Sequence, residues 1–250
     1  MKELSLFTGM GGGIYGSMIL GWETVAYVEQ DEYCQKVIAQ RIQDEWFDDG
    51  EIYCDIAEFN RTAAHKYAGK IDILTGGFPC QPFSVAGKGE GTSDDRWLFD
   101  EIIKTIEIVR PKRLFFENVP GILGDAAIVT IFKELESIGF KPSPPLLLSS
   151  DDCGNIHKRQ RVWIYATNTG CKRKKPSVKK PIQGQPYISR KQSIRGREDL
   201  FNGLSSPSPY ICRMDDEFPN RLKQLKAIGN GQDPIVMATA YKILSGEFAA

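Results

Sequence analysis

The sequence lacks long apolar runs and paired cysteines. No apolar run approaches the ~20 residues that a membrane span needs, and the first residues enter a strand-like segment without the apolar core of a signal peptide. The six cysteines show no Cys-x-x-Cys spacing, which argues against a disulfide framework and against a zinc site. We therefore expect a cytoplasmic protein with reduced thiols, no metal and no membrane association.

The chain also lacks net charge, because its 32 basic and 32 acidic side chains balance, but the two signs are unevenly distributed. Residues 1–60 hold twelve acidic and three basic side chains, whereas residues 166–200 hold ten basic and two acidic ones. The densest basic run is Lys172, Arg173, Lys174 and Lys175. Such a run is either a solvated loop or a surface for a phosphate backbone.

A glycine-rich turn follows the first predicted strand, Glu3–Phe7. Its G-x-G-x-x-G spacing from Gly11, ahead of a second predicted strand over 24–28, is typical of a βαβ unit that binds a dinucleotide. The same glycines also suit a turn that merely packs a helix on a strand. Glu29 ends the second strand, a helix capped by Asp31 follows, and Asp55 lies in a predicted third strand over 53–56. This acidic lining favours a cationic cofactor, S-adenosylmethionine, over a pyrophosphate.

A stiff loop follows the predicted strand 71–74 and carries Cys80. Two glycines before it allow a close backbone approach, and Pro79 and Pro82 hold the chain non-helical on either side of the thiol. A rigid arch of this kind suits a nucleophile. The alternative is a small buried hydrophobic residue, the commonest environment of a free cysteine.

The remaining segments alternate between helix and strand. Residues 87–95 are polar and glycine-rich, and we expect a mobile loop that closes on substrate. Apolar spacing predicts helices over 96–109 and 126–137, and strands over 113–116, 146–148 and 161–165. Glu117 follows one of these strands at the end where a parallel sheet binds ligands, unless it simply caps the next helix. The pattern predicts a doubly wound α/β fold with a mostly parallel sheet.

These motifs, in this order, resemble the series found in the cytosine-C5 DNA methyltransferases. The resemblance covers residues 1–165, resumes near 221, and implies a Rossmann-like methyltransferase sheet with a small irregular target-recognition segment. It also implies a last helix over 234–244, packed beside the first strand. The chain differs from the family pattern at His157, where Gln is common, and at Gly231-Gln232-Asp233, where small and apolar residues are usual. The motifs are Phe7-x-Gly9-x-Gly11-Gly12, Glu29, Asp55, Pro79-Cys80-Gln81, Glu117-Asn118-Val119, Arg159-x-Arg161 and Gly229-Asn230.

The resemblance implies a covalent mechanism. Cys80 would add to C6 of cytosine so that C5 becomes nucleophilic, and Glu117, with a raised pKa, would protonate N3. Asn118 would hold the loop, and Arg159 and Arg161 would lower the thiol pKa, contact the base or clamp phosphate. Because C5 is inaccessible in a stacked duplex, the target base would be flipped out.

The resemblance also implies the ligand contacts. Glu29 would bind the ribose of S-adenosylmethionine and Asp55 its adenine. The full set for the cofactor is Phe7, Thr8, Gly9, Gly11, Gly12, Glu29, Asp55, Ile56, Pro79 and Asn230. The set for double-stranded DNA is Gln81, Ser84, the basic run Lys172–Lys175, Arg190, Arg195 and Arg197.

Three regions are expected: a catalytic and cofactor-binding domain over 1–166, a target-recognition segment over 167–220, and C-terminal helices over 221–250 that return to the catalytic domain. We expect a monomer, acting alone or beside a cognate restriction endonuclease.

A tRNA cytosine-5-methyltransferase would keep every catalytic residue, so assays on both nucleic acids separate the two functions. A nicotinamide oxidoreductase leaves Pro-Cys-Gln and Glu-Asn-Val without a role, and a catalytically decayed DNA-binding protein is disfavoured by Cys80 and Glu117.

Overall fold

A mostly parallel sheet forms the centre of the protein, as predicted. A computed structural model describes residues 1–79, 96–124, 126–170, 223, 227 and 229–247. The strands are β1 (Lys2–Leu6), β2 (Glu23–Val28), β3 (Glu51–Tyr53), β4 (Ile73–Gly77), β5 (Arg113–Asn118), β6 (Phe140–Pro142), β7 (Leu146–Ser149) and β8 (Gln160–Asn168). Strands β3, β2, β1, β4 and β5 are adjacent in that order and parallel. Strand β8 is antiparallel to β5, and β6 and β7 both pair antiparallel with β8.

Helices cover both faces of this sheet, which makes the fold doubly wound. They are α1 (Gly12–Ile19), α2 (Glu32–Gln43), α3 (Ile56–Thr62), α4 (Arg96–Val109), α5 (Ala126–Ser137) and α6 (Pro234–Ser245), with short 3-10 helices over Ala64–Tyr67 and Pro120–Leu123. Buried side chains of α3, α4 and α5 pack on one face, and those of α1, α2 and α6 pack on the other. Successive side chains of β5 point to opposite faces of the sheet, so Leu114 and Phe116 pack in the core on the first face and Phe115 packs in the core on the second.

Aspartate side chains determine where three helices begin. Asp31 accepts from the amides of the first turn of α2 at 2.9 and 3.1 Å, as predicted from the sequence. Asp55 accepts from the amide of Glu58 in α3 at 2.8 Å, and Asp233 caps α6 in the same way. Each such cap stabilises its helix by about 1 kcal/mol.

Several predicted strands have different limits in the structure; β5, for example, continues to Asn118 instead of ending at residue 116. Strand β3 is Glu51–Tyr53 instead of 53–56, because Asp55 caps α3 and Ile56 already belongs to its first turn. Strand β4 ends at Gly77 instead of residue 74, because Gly76 pairs with β1 and Gly77 pairs with β5. The three-residue strand β6 was not predicted, since so short a segment shows no periodicity.

Helix α6 packs against α1 instead of lying directly beside the first strand. Gly16 permits this contact, because a Cβ built there would be 2.6 Å from Sδ of Met237. Further along α6, the ring of Tyr241 packs edge-on against Trp22 with the ring centroids 4.6 Å apart. The helix thereby brings the segment before it, which includes Gln232, against the loop after β1.

Candidate active site

The carboxyl ends of neighbouring parallel strands carry most of the predicted site residues that the structure describes. The glycine loop follows β1, Glu29 follows β2, Pro79 lies just beyond β4, and Glu117 and Asn118 end β5. Because parallel strands end at one edge of the sheet, residues far apart in sequence meet there.

The loop after β1 has a left-handed backbone at three positions. The φ angles are 51° at Phe7, 58° at Gly9 and 87° at Gly11. Glycine adopts these angles freely, whereas Phe7 is strained. The buried hydroxyl of Thr8 donates to the carbonyl of Ser5 at 3.2 Å, so this side chain shapes the loop. No described atom lies within 4 Å of a Cβ built on Gly9, which leaves open space beside the loop.

Two glycines of this loop allow protein groups to approach closely. A Cβ on Gly11 would be 2.4 Å from the ring of Phe47. A Cβ on Gly12 would be 2.3 Å from the carbonyl oxygen of Gln232. The sequence predicts that these glycines make room for a cofactor. The structure shows that close contacts within the protein require glycine at both positions as well.

Two acidic side chains lie at the adjacent ends of β2 and β3. The carboxylate of Glu29 accepts from the amides of Gly9 at 2.6 Å and Asp31 at 2.8 Å. Asp55 follows β3, and the two strand ends are joined because the amide of Glu29 donates to the carbonyl of Tyr53 at 2.9 Å. Glu29 therefore holds the glycine loop against the end of β2, and its position is fixed from two sides.

Glu117 is a buried acid beside two arginines. Its side chain is 9% exposed, and Nε of Arg161 lies 2.7 Å from Oε1. The two groups are close enough to form an ion pair, although Oε1 accepts no well-aligned hydrogen bond. Burial raises the pKa of Glu117 above its ordinary value, and the charges of Arg161 and Arg159 offset that rise only in part. A carboxyl group in this environment holds a proton at a higher pH than an exposed one.

The position of Glu117 in β5 rules out the simpler interpretation that it caps a helix. It pairs with Gly77 of β4 on one side and Trp163 of β8 on the other. Val119 is the residue at the start of the following 3-10 helix. The side chain is thus held by the sheet and points into the site beside Gly77, where a Cβ would be 2.9 Å from Oε2.

Asn118 connects β5 to the start of the Cys80 loop. Its Nδ2 donates to the carbonyl of Phe78 at 3.1 Å, and its Oδ1 accepts from the amide of Val119 at 2.8 Å. The ring of Phe78 is buried against Phe116, with the centroids 5.9 Å apart. The chain is therefore anchored two residues before Cys80.

The segment before β8 is tied to the segment before α6. Arg159 donates through Nη2 to the carbonyl of Gly231 at 2.5 Å, and Asn155 donates to the carboxylate of Asp233 at 2.6 Å. His157 also lies 3.9 Å from that carboxylate. Arg159 and Arg161 thus reach the site differently: one fixes the C-terminal segment, and the other pairs with Glu117. Asn230 is exposed on this segment.

Several predicted site residues lie outside the described residues. They are Cys80, Gln81, Ser84, the basic run Lys172–Lys175, Arg190, Arg195 and Arg197, together with the expected closing loop 87–95 and almost all of the segment 167–220. In the part of the chain that is described, no group of His, Cys, Asp or Glu side chains could hold a metal ion. None of the helices described there has the length and apolar character of a membrane span.

Sequence reasoning missed two contributors to the site, Gln232 and Gly77. The pattern predicts a loop at Gly77 and marks Gln232 only as a departure from the family motif. The Asp-Pro pair at 233 and 234 signals the start of a helix and could have placed the preceding residue near a helix end. Nothing in the sequence indicates that this end meets the glycine loop.

The family model for C-5 cytosine-specific DNA methylases matches residues 1–222. The chain belongs to this family. Among curated methylases, the Type II methylase M.HgiEI of Herpetosiphon aurantiacus is 35% identical over 173 residues, which are 65% of this chain and 36% of that protein. The Type II methyltransferase M.AquIA of Picosynechococcus sp. is 29% identical over 248 residues, which are 89% of this chain and 97% of that protein. The chain thus spans about a third of M.HgiEI.

A solved structure of a DNA modification methyltransferase encoded within an E. coli prophage has the same fold. The TM-score is 0.54 at 21% identity, over 67% of this chain and 47% of that one. This likeness confirms the predicted α/β fold with a mostly parallel sheet.

Proposed function

We propose that this methylase transfers a methyl group from S-adenosylmethionine to C5 of a flipped-out cytosine in duplex DNA. The observation that carries the proposal is Glu117, a buried acid whose pKa is raised and whose carboxylate is paired with Arg161. The neighbouring Asn118 holds the chain that leads to Cys80. Cytosine methylation needs this combination, a proton donor and a nucleophile on adjacent strand ends.

The residues at the ends of β1, β2 and β3 fit S-adenosylmethionine. Glu29 keeps free lone pairs after accepting from two amides, and these can accept from ribose hydroxyls. Oδ2 of Asp55 has no hydrogen bond to a described residue and is available to the adenine amino group. When bound, the cofactor supplies an electrophilic methyl group. The other residues of the proposed set are Phe7, Thr8, Gly9, Gly11, Gly12, Ile56, Pro79 and Asn230.

The proposed chemistry begins with Cys80, because C5 of cytosine is too weak a nucleophile to accept a methyl group unaided. The thiolate forms a bond to C6, and the displaced electron density is relieved when Glu117 gives its proton to N3. C5 then takes the methyl group from the sulfonium. A base such as water removes the C5 proton, the bond from sulfur to C6 breaks, and Glu117 recovers its proton from N3.

Arg161 has a defined part in this scheme. Its guanidinium stays 2.7 Å from the carboxylate that forms when Glu117 gives up its proton. Burial raises the pKa of Glu117 and so favours the protonated acid, whereas the adjacent positive charge of Arg161 limits the cost of ionising it when the proton passes to N3.

DNA recognition is assigned to residues 167–220, between the catalytic region 1–166 and the C-terminal region 221–250. The basic run Lys172–Lys175 would contact phosphates, which position a protein without reading sequence. Arg190, Arg195 and Arg197 would read guanine edges, to which a guanidinium can bind through two hydrogen bonds. Gln81 and Ser84 would contact the flipped nucleotide, because they lie one and four residues after Cys80 in the same loop.

The test is methyl transfer from labelled S-adenosylmethionine to duplex DNA and, in parallel, to tRNA. We expect label in DNA, protection of specific cytosines from bisulfite conversion, and loss of both in Cys80→Ser. Label in tRNA alone would replace the proposed substrate with RNA. Transfer to neither, by protein that binds the cofactor, would refute the methyltransferase proposal.

A further inference from the structure

The side chain of Gln232 lies across the middle of the site, between the loop after β1 and the end of β4. A Cβ built on Gly13 would be 2.4 Å from Oε1 of Gln232, and one built on Gly77 would be 3.0 Å from Nε2. The carboxamide therefore reaches from one strand end to the next. Oε2 of Glu117 is 2.9 Å from the same Gly77 position, so it lies no more than 5.9 Å, the sum of 2.9 and 3.0 Å, from Nε2.

The main chain around Gln232 is fixed on both sides. The carbonyl of Gly231 accepts from Arg159 at 2.5 Å, and Asp233 caps α6 while it accepts from Asn155. The carbonyl of Gln232 itself lies against Gly12, at 2.3 Å from a Cβ built there. The main chain at Gln232 is thus fixed by the fold and does not depend on any bond made by the side-chain amide.

The Gln232 side chain is half-buried, and no hydrogen bond joins its carboxamide to another described residue, although the amide can donate two hydrogen bonds and accept more. Because the main chain is fixed and the amide makes no hydrogen bond to a described residue, a polar ligand at the site can bind the amide without displacing a protein partner.

The order of the strands indicates which ligand group meets Gln232. With the ribose at Glu29 after β2 and the adenine at Asp55 after β3, the rest of the methyl donor must pass over β1 towards β4 and β5. Gln232 stands where that path crosses from β1 to β4. We infer that its carboxamide binds the amino-acid end of the methyl donor and directs the methyl group towards the base beside Glu117, a role that rests on the proposed function.

The inference is tested by calorimetric binding of two ligands that differ only at this end. S-adenosylhomocysteine carries the amino-acid chain, and 5′-methylthioadenosine has a methyl group in its place. In Gln232→Met, which keeps the length of the side chain but removes the amide, we expect S-adenosylhomocysteine to bind about tenfold more weakly and 5′-methylthioadenosine to bind as in the parent. Gln40→Met, on the exposed face of α2, is the matched control and should change neither affinity.

Equal affinities of the parent and Gln232→Met for S-adenosylhomocysteine would overturn the inference. So would an equal loss for both ligands, because Gln232 would then shape only the nucleoside pocket. If Gln232→Met does not fold, as judged by thermal unfolding, Gln232→Ala gives the same test, since the ratio of the two affinities within one variant is decisive. A parent protein that binds neither ligand would instead refute the proposed function, before any variant is compared.

Discussion

Gly77→Ala is a sharp test of the site, because the structure predicts different effects on stability and on catalysis. The added Cβ would lie 2.9 Å from Oε2 of Glu117 and 3.0 Å from Nε2 of Gln232. Ordinary contacts of a Cβ begin near 3.4 Å. Both atoms must therefore retreat by roughly half an ångström, and both belong to groups that the proposed chemistry uses.

The stability cost of this substitution should be small. The displaced atoms are the far ends of flexible side chains, and alanine in a strand removes the excess chain entropy of glycine, so we expect the free energy of unfolding to change by less than about 1 kcal/mol. Catalysis should suffer more, because a misplacement of 1 Å can cost about a hundredfold in rate. We expect kcat to fall at least about tenfold.

The assay is methyl transfer at saturating DNA and cofactor, paired with urea unfolding of the same preparations. Gly121→Ala is the matched control, since no described atom lies within 4 Å of a Cβ built there and its backbone is not left-handed. That variant should keep both rate and stability. A Gly77→Ala enzyme with parental kcat, or one whose loss of rate only follows a loss of stability, would refute the placement of Glu117 and Gln232.

Three further predictions concern other regions. Gly12→Ala should lower the free energy of unfolding by about 1 to 3 kcal/mol in urea titrations, because its Cβ meets a backbone carbonyl at 2.3 Å that cannot move aside; an unchanged midpoint would show that the close approach is wrong. Burial raises the pKa of Glu3. The stability that its neutral form provides is therefore complete below about pH 4.3 and is lost as the pH rises through the folded-state pKa. Glu3→Gln should remove this pH dependence of stability, and identical pH profiles of the two proteins would contradict the prediction. Neutralising the basic run Lys172–Lys175 together should weaken DNA binding and reduce the salt slope by about 0.9 for each phosphate that the protein no longer binds, with the methylated sequence unchanged; a parental slope would mean a solvated loop.

The sequence predicted the sheet well because each parallel strand is an apolar run followed by a characteristic residue. Glu29 and Glu117 were placed correctly at strand ends for this reason. The helix cap at Asp31 could also be predicted, since an aspartate before an apolar helix is a local signal. Local signals of this kind do not depend on the rest of the fold.

The contacts across the site could not be predicted in the same way. Gln232 meets Gly12, Gly13 and Gly77 only because α6 packs against α1, and that packing depends on side chains more than 200 residues apart in sequence. The limit of β3 was wrong because Asp55 is both a strand-end residue and a helix cap, and the cap determines the boundary. A tertiary contact thus determines the place of Gln232, whereas two competing local signals determine the limit of β3.

The central claim, that Cys80 bonds covalently to cytosine in DNA, is tested most directly by a duplex that carries 5-fluoro-2′-deoxycytidine at the methylated position. Because C5 then carries fluorine in place of the proton that must leave, the bond from sulfur to C6 cannot be released after methyl transfer. In the presence of S-adenosylmethionine, we predict a complex that survives denaturation, with the modified nucleotide attached to Cys80 in peptide mass spectra, and no complex from Cys80→Ser. An active parent enzyme that forms no such complex, or a nucleotide attached to another cysteine such as Cys54, would contradict the account.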